Sequence, residues 1–177
     1  VLRPACPAAR AAELGFVAAL AVADMIEDGR DVRVKWPNDV LVGGGKIAGI
    51  LPESSIGQDG RADYVIMGIG VNVAFAPQLP EMRYPGAALG GTVEGGLEKL
   101  AAALALRMAQ WRRVGFDAIR AAWLAKAGPI GIDVDVKLGE EIVRGRFRGI
   151  DVDGGLLLET SVGPRKIVAG ELLGRAG

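Results

Sequence analysis

The chain has 177 residues, half of them hydrophobic, so it can bury a core of one domain or of one domain with a small appendage. It has no histidine and a single cysteine, Cys6, which excludes histidine triads, histidine-based zinc sites, multi-cysteine metal sites and a disulfide framework. Its 21 basic residues balance 21 acidic ones, so we expect no DNA-binding domain in this chain. Any chemistry must use Lys, Arg, Asp, Glu, Asn or backbone groups.

The longest uncharged stretch near the N-terminus, Leu14 to Ala23, is far short of the roughly 20 apolar residues that a membrane span needs. A secretory signal pattern is also missing. We therefore expect a cytoplasmic protein that does not enter a membrane. Because the chain begins at Val1 without an initiator Met, we expect it to be part of a longer protein.

The first 73 residues predict a buried helix followed by strands. The segment Ala8 to Ile26 is apolar almost all round, which is typical of a core helix. Alternating residues predict a strand that ends at Pro37, then a hairpin with its tip at Gly43–Gly45, whose arms are Val40–Val42 and Lys46–Leu51. The run Tyr64 to Val73 predicts a strand buried on both faces.

The second half predicts helices and then short strands. Residues 74–91 form a long loop rich in proline and glycine. Two helices follow, which end at Gly128 and Pro129 and whose apolar stripes indicate core packing: Leu97, Leu100, Leu104, Met108 and Trp111, then Phe116, Ile119 and Trp123. Short alternating runs after Ile132 predict a small antiparallel barrel or sandwich, with strands at Val134–Leu138, Ile142–Ile150, Leu156–Thr160 and Lys166–Val168.

Four polar residues gather on one predicted strand, the loop after it and the hairpin: Lys35, Asn38, Asp39 and Lys46. Two cations and a carboxylate at one sheet edge can form an anion-binding site. The alternative is a solvated hairpin with ordinary surface lysines. Glycines inside the neighbouring strands, at Gly49, Gly68 and Gly70, favour the first interpretation, because they weaken pairing unless a ligand approaches the backbone.

Three motifs at these positions, KWPNDV, GKIAGIL and GIGVNV, resemble in order and spacing the core motifs of biotin protein ligases. The C-terminal RGID, LLLE and AGELLGR resemble the small SH3-like domain of the same family. The resemblance implies an α+β fold. A class II synthetase-like core, with a mixed sheet and packed helices, would span residues 1–128, and an SH3-like β-barrel would span residues 129–177.

The resemblance implies an ATP-dependent ligase that forms biotinoyl-AMP and then attaches biotin to a lysine of a biotin carboxyl carrier protein. Lys46 would stabilise the transition state at the α-phosphate and contact biotin, and Asp39 would orient or deprotonate the acceptor lysine. The remaining biotin contacts would be Gly49, Leu51, Gly68 and Gly70, and the ATP contacts would be Lys35, Asn38, Asn72, Glu171 and Arg175. ATP would bring Mg²⁺, no metal site is expected in the protein itself, and a homodimer is expected.

The family also uses a glycine- and arginine-rich loop that closes over the adenylate, and it would lie upstream of Val1. The run RGRFRG at Arg144–Gly149 is superficially similar, but its alternation indicates a strand of the small domain. We therefore expect the 177 residues alone to leave the site incomplete. Two alternatives remain at this point, a non-catalytic module that binds biotin or nucleotide and a related lipoate-attaching ligase.

Overall fold

A computed structural model describes residues 1–26, 28–78 and 84–174 of the chain. In these residues three α-helices pack with two antiparallel sheets, which confirms the predicted α+β class. The first sheet has the order β1-β2-β3-β4, with β1 at Val32–Lys35, β2 at Asp39–Val42, β3 at Gly45–Ile56 and β4 at Ala62–Val71. Parallel pairing in the described residues is limited to one isolated bridge, between Lys46 and Gly86.

The helices are α1 at Glu13–Asp24, α2 at Val93–Val114 and α3 at Phe116–Lys126. Helix α1 is the predicted core helix, but it begins at Glu13 because a short 3-10 turn occupies Ala8–Arg10. Helix α2 is capped at its start by Thr92, whose hydroxyl accepts a hydrogen bond from the Gly95 N–H. In the described part of the chain, every helix is too short or too polar to cross a membrane.

The second sheet contains five strands in the order β8-β7-β6-β5-β9. The predicted strand at Arg144–Gly149 lies within β6, which confirms that this arginine-rich run is not a loop. In the described residues β8 and β9 are the two edges, so no strand pairing closes the expected barrel. The strands are β5 at Asp133–Leu138, β6 at Glu141–Ile150, β7 at Leu156–Thr160, β8 at Gly163–Ile167 and β9 at Glu171–Gly174.

One hydrophobic cluster runs through both sheets and all three helices. At its centre the ring of Phe16 meets Phe116 and Trp123 edge-on, with ring centroids 5.4 and 5.5 Å apart. The indole N–H of Trp36, at the end of β1, donates a 3.1 Å hydrogen bond to the carbonyl oxygen of Gly154 in the small sheet. The second sheet therefore packs as part of the core, and the domain boundary at residue 128 stays a prediction.

Two predictions of burial were wrong. Strand β4 is buried on one face only, since Tyr64 and Ile66 are exposed while Val65 is fully buried. The helices cover one face of the first sheet, and in the described residues β4 forms its outer edge, so alternate residues face outward. Leu97 is 65% exposed because it lies in the first turns of α2, beyond the end of the core that Met108 and Trp111 enter.

The contact between Gly154 and Phe16 can be tested by adding one methyl group. At Gly154, φ is +87° and a Cβ atom would lie 2.6 Å from Phe16 Cε2. Gly139 also has a positive φ, +61°, but a Cβ there would meet nothing within 4 Å. We expect Gly139→Ala to lower the free energy of unfolding by about 1 kcal/mol through backbone strain. Gly154→Ala should cost about 1–3 kcal/mol more, because the packed ring cannot move aside.

Chemical denaturation of both variants and the unsubstituted protein measures this difference. Equal losses in the two variants would show that the Gly154 turn does not press against α1.

Candidate functional site

The first sheet aligns four of the predicted site residues in one row. Lys35 pairs with Asp39, Asp39 pairs with Gly49, and Gly49 pairs with Gly70, so one residue of each strand stands in the row. Residues directly opposite each other in a sheet project from the same face. The row therefore carries two charged side chains over β1 and β2 and a bare backbone surface over β3 and β4.

A β-bulge allows Lys46 and Gly49 to lie on the same face. Val40 pairs with Ala48 but Leu41 pairs with Lys46, so Ile47 is an extra residue on β3. Ile47 and Ala48 are consequently both buried in the core, and Lys46 and Gly49 both face outward although three positions separate them. Regular alternation would have sent one of the two into the core. Apart from the glycine-rich tip next to it, no pattern in the sequence indicates this bulge.

The Asp39 carboxylate lies between the two lysines. Its Oδ1 atom is 2.6 Å from Lys46 Nζ, and its Oδ2 atom is 3.5 Å from Lys35 Nζ. The side chains of Lys35 and Asp39 are only 8% and 13% exposed, and that of Lys46 is 38% exposed. The alternative of a solvated hairpin with ordinary lysines therefore does not hold. Two cations with one anion leave a surplus positive charge that a ligand phosphate or carboxylate can neutralise.

Lys35 is the most enclosed of these charges. Its ammonium lies 4.6 Å from the centre of the Tyr84 ring, a cation–π contact that the sequence did not indicate. Burial lowers the pKa of Lys35 below the usual lysine range, while the nearby Asp39 and Glu171 carboxylates oppose this shift. Glu171, the first residue of β9, thus acts on the charge of Lys35, and its contact with ATP stays a prediction.

Glycines keep the space beside the cluster open. A Cβ on Gly49 would lie 3.6 Å from Lys46 Nζ and 3.9 Å from Asp39 Oδ1, so a larger side chain would enter the ion cluster. Gly68 pairs with Leu51, whose side chain is 61% exposed on the same open face. The residues predicted to contact biotin thus form a flat, partly apolar floor next to the two lysines. It has the composition that a ligand with an apolar body and an anionic end requires.

The two asparagines have different surroundings. Asn38 lines a cavity of about 420 Å³ between β3, the start of α1 and the small sheet. The Asn72 side chain donates through Nδ2 to the carbonyl oxygens of Lys46 and Ala87, at 3.2 and 3.1 Å. Both amide hydrogens of Asn72 are therefore used inside the protein, and its amide oxygen is the group left for a ligand. Arg175, the last predicted ATP contact, lies outside the described residues.

Comparison with known proteins gives matches along almost the whole chain. Residues 5–72 match the Biotin/lipoate A/B protein ligase family, and residues 130–172 match the Biotin protein ligase C terminal domain. A biotin--[acetyl-CoA-carboxylase] ligase from Paracoccus denitrificans is 41% identical over 97% of this chain and 77% of the relative. The bifunctional ligase/repressor BirA of Bacillus subtilis is 32% identical over 97% of this chain, which spans 56% of that protein.

Solved structures give the same result. The biotin protein ligase from Aquifex aeolicus in complex with biotin and ATP superposes with a TM-score of 0.74 at 26% identity, over 91% of this chain and 70% of the Aquifex chain. Its apo structure superposes with a TM-score of 0.75 at 25% identity, over 91% and 73%. The charged cluster, the glycine floor and these matches lead to one conclusion: the chain belongs to the biotin protein ligase family.

Proposed function

We propose that this chain carries the nucleotide- and biotin-binding core of an enzyme that makes biotinoyl-AMP from biotin and ATP and transfers the biotin to a carrier lysine. The observation that carries the proposal is the Lys46–Asp39–Lys35 cluster beside the floor of Gly49, Gly70 and Leu51. An apolar ligand with a carboxylate at one end would lie on the floor with that carboxylate at the lysines. The Paracoccus relative is named as a biotin ligase and the Aquifex structure is a complex with biotin and ATP, and both support this choice of ligands.

In the first step a biotin carboxylate oxygen bonds to the α-phosphorus of ATP, and the bond to pyrophosphate breaks. The nucleophile and its target are both anions, so their approach requires fixed positive charge. Lys46, the more exposed lysine, has the freedom to bridge the two, while the enclosed Lys35 holds a phosphate oxygen. Glu171 and Asn38, on either side of the cluster, would contact the nucleotide.

In the second step the acceptor amine bonds to the acyl carbon of the adenylate, and AMP leaves. A free lysine titrates near about 10.4, so most of it is protonated at neutral pH and a base must take its proton. Asp39 is the carboxylate in position. Asp39 contacts Lys46. When Lys46 moves to the phosphate, the Asp39 oxygen that it contacted becomes available to the acceptor amine. Asp39 would therefore act as a base only when the adenylate is bound.

Mg²⁺ would enter this scheme with ATP. In the described residues no group of three or more His, Cys, Asp or Glu is placed to hold a metal by itself. Mg²⁺ keeps several waters and is usually bound by substrate phosphates with one or two carboxylates. Asp39 and Glu171 are the carboxylates near Lys35 that could supply such a contact.

The acceptor we propose is a biotin carboxyl carrier protein, in keeping with the name of the Paracoccus relative. Lipoate attachment is less favoured, because residues 130–172 match a domain described for biotin protein ligases. A non-catalytic binding module would have no need for the Lys46–Asp39 pair. The homodimer and the cytoplasmic location remain predictions.

Lys46→Gln should abolish adenylation far more than it weakens biotin binding. If Lys46 stabilises mainly the transition state, pyrophosphate release should fall by about 100-fold or more, while the biotin dissociation constant changes modestly. Pyrophosphate release and calorimetric biotin titration, in a protein that includes the segment upstream of Val1, measure the two effects. Lys99→Gln, an exposed lysine on α2, is the matched control. Near-normal turnover in Lys46→Gln would remove Lys46 from catalysis.

The lowered pKa of Lys35 predicts a pH dependence of ATP binding. The ammonium is present below this pKa and is lost as the pH rises through it, which happens at a lower pH than for an ordinary lysine. ATP affinity should therefore fall about tenfold across that range, since one charged phosphate contact disappears. Lys35→Arg keeps its charge and should bind ATP with little pH dependence. Calorimetric titrations between pH 7 and about 10 compare the two, and identical profiles would exclude Lys35 as the titrating group.

A further inference from the structure

The backbone of Lys46 is hydrogen-bonded to a segment that was predicted from the sequence to be an irregular loop. We call residues 84–90 the docked segment. The Lys46 N–H donates to the Pro85 carbonyl oxygen at 2.8 Å, and the Ala87 N–H donates to the Lys46 carbonyl oxygen at 2.9 Å. The segment thus pairs with β3 at the residue proposed for catalysis.

Asn72 joins the docked segment to β3. Its side-chain amide bridges the carbonyl oxygens of Lys46 and Ala87, and its own carbonyl oxygen accepts a 2.8 Å hydrogen bond from the Leu89 N–H. At the other end of the segment, the Tyr84 ring lies on the Lys35 ammonium. The docked segment therefore touches both lysines of the cluster, one through its backbone and one through an aromatic ring.

Arg30 also binds this segment. Its Nη1 atom donates to the Ala88 carbonyl oxygen at 2.9 Å, and its Nη2 atom donates to the Leu89 carbonyl oxygen at 3.0 Å. The Asp28 carboxylate orients the guanidinium, with Nη2 2.7 Å from Oδ2 and Nε 2.9 Å from Oδ1. Two N–H groups of one side chain thus donate to two consecutive carbonyl oxygens. The guanidinium group of arginine provides this geometry, and a lysine ammonium does not.

We propose that Arg30 is a positioning residue for the adenylation lysines, acting through the docked segment. This inference rests on the proposed function, since it assigns Arg30 to the ATP side of that reaction. Arg30 does not touch the reacting atoms. It fixes Ala88 and Leu89, which fix the pairing of Pro85 and Ala87 with Lys46 and the place of Tyr84 over Lys35.

The effect should fall on ATP more than on biotin. The docked segment meets Lys46, Lys35 and Asn72, whereas the apolar body of biotin would rest on Gly49, Gly70 and Leu51, on strands that pair with each other. Only the biotin carboxylate would reach Lys46, whereas the phosphates of ATP would contact both lysines. Loss of Arg30 leaves that strand pairing intact. It would let the docked segment separate from β3 more often, so Lys46 and Lys35 would spend less time in the geometry that binds phosphate.

The experiment compares Arg30→Ala and Arg30→Lys with a matched control, Arg33→Ala, in a protein that includes the upstream segment. Arg33 also pairs with a local aspartate, Asp31 at 2.9 Å, but its other hydrogen bond goes to Ala127 and not to the docked segment. Amide hydrogen exchange at Ala87 and Leu89 reports the docking directly. Initial rates of pyrophosphate release give KM for ATP, KM for biotin and kcat.

In Arg30→Ala we expect exchange at Ala87 and Leu89 to be about tenfold faster and KM for ATP to rise about fivefold, with KM for biotin little changed. Arg30→Lys should lie in between, because one ammonium cannot reach both carbonyls with the same geometry. Arg33→Ala should match the unsubstituted protein in all readouts. A loss of global stability alone would not raise KM for ATP while leaving KM for biotin unchanged. Nor would it speed exchange at Ala87 and Leu89 more than at other amides.

Unchanged exchange, an unchanged KM for ATP, or equal effects in Arg33→Ala would each overturn the role of Arg30. Failure of the proposed function looks different: the unsubstituted protein would release no pyrophosphate with biotin and ATP. Hydrogen exchange is read without substrates, so in that case it still decides whether Arg30 holds the docked segment.

Discussion

The Asp39 carboxylate, held between Lys46 and Lys35, is the contact around which the site is arranged. A charge group this enclosed adds little net stability, because removing ions from water costs about as much as their attraction returns. Its presence is therefore better explained by chemistry than by folding. The carboxylate keeps two ammonium groups close together that would otherwise repel each other. An incoming phosphate then meets positive charge that is already assembled.

Much of the site could be predicted from the sequence, because its residues lie in short motifs whose spacing matches a strand, a loop and a hairpin. Lys35 and Lys46 face the same side as Asp39 because Lys35 pairs with Asp39 and Lys46 pairs with Leu41, two residues after Asp39 on β2. The place of Gly49 opposite Asp39 could not be derived from alternation. It depends on the bulge at Ile47, and no local sequence rule specifies which of two adjacent apolar residues will be the extra one.

Other features depend on long-range packing that no window of the sequence contains. The cation–π contact of Tyr84 with Lys35 and the hydrogen bonds of Arg30 to Ala88 and Leu89 join positions 49 to 59 residues apart along the chain. The exposure of β4 was mispredicted for a related reason. An apolar run indicates burial, but only the arrangement of the helices decides how many faces of a sheet are covered. The small sheet was well predicted because its turns and alternating strands are local signals.

The hairpin that carries Asp39 and Lys46 makes this site sensitive to the number of residues as well as to their identity. Asp39 and Lys46 are seven positions apart, and this spacing includes the glycine turn at Gly43–Gly45. Loss of one residue from that turn would shift the pairing of β3 with β2 by one position. It would turn the Lys46 ammonium away from Asp39, although every charged and polar side chain of the site would remain in the chain. Relatives that share this chemistry should therefore vary in the residues of the hairpin more freely than in its length.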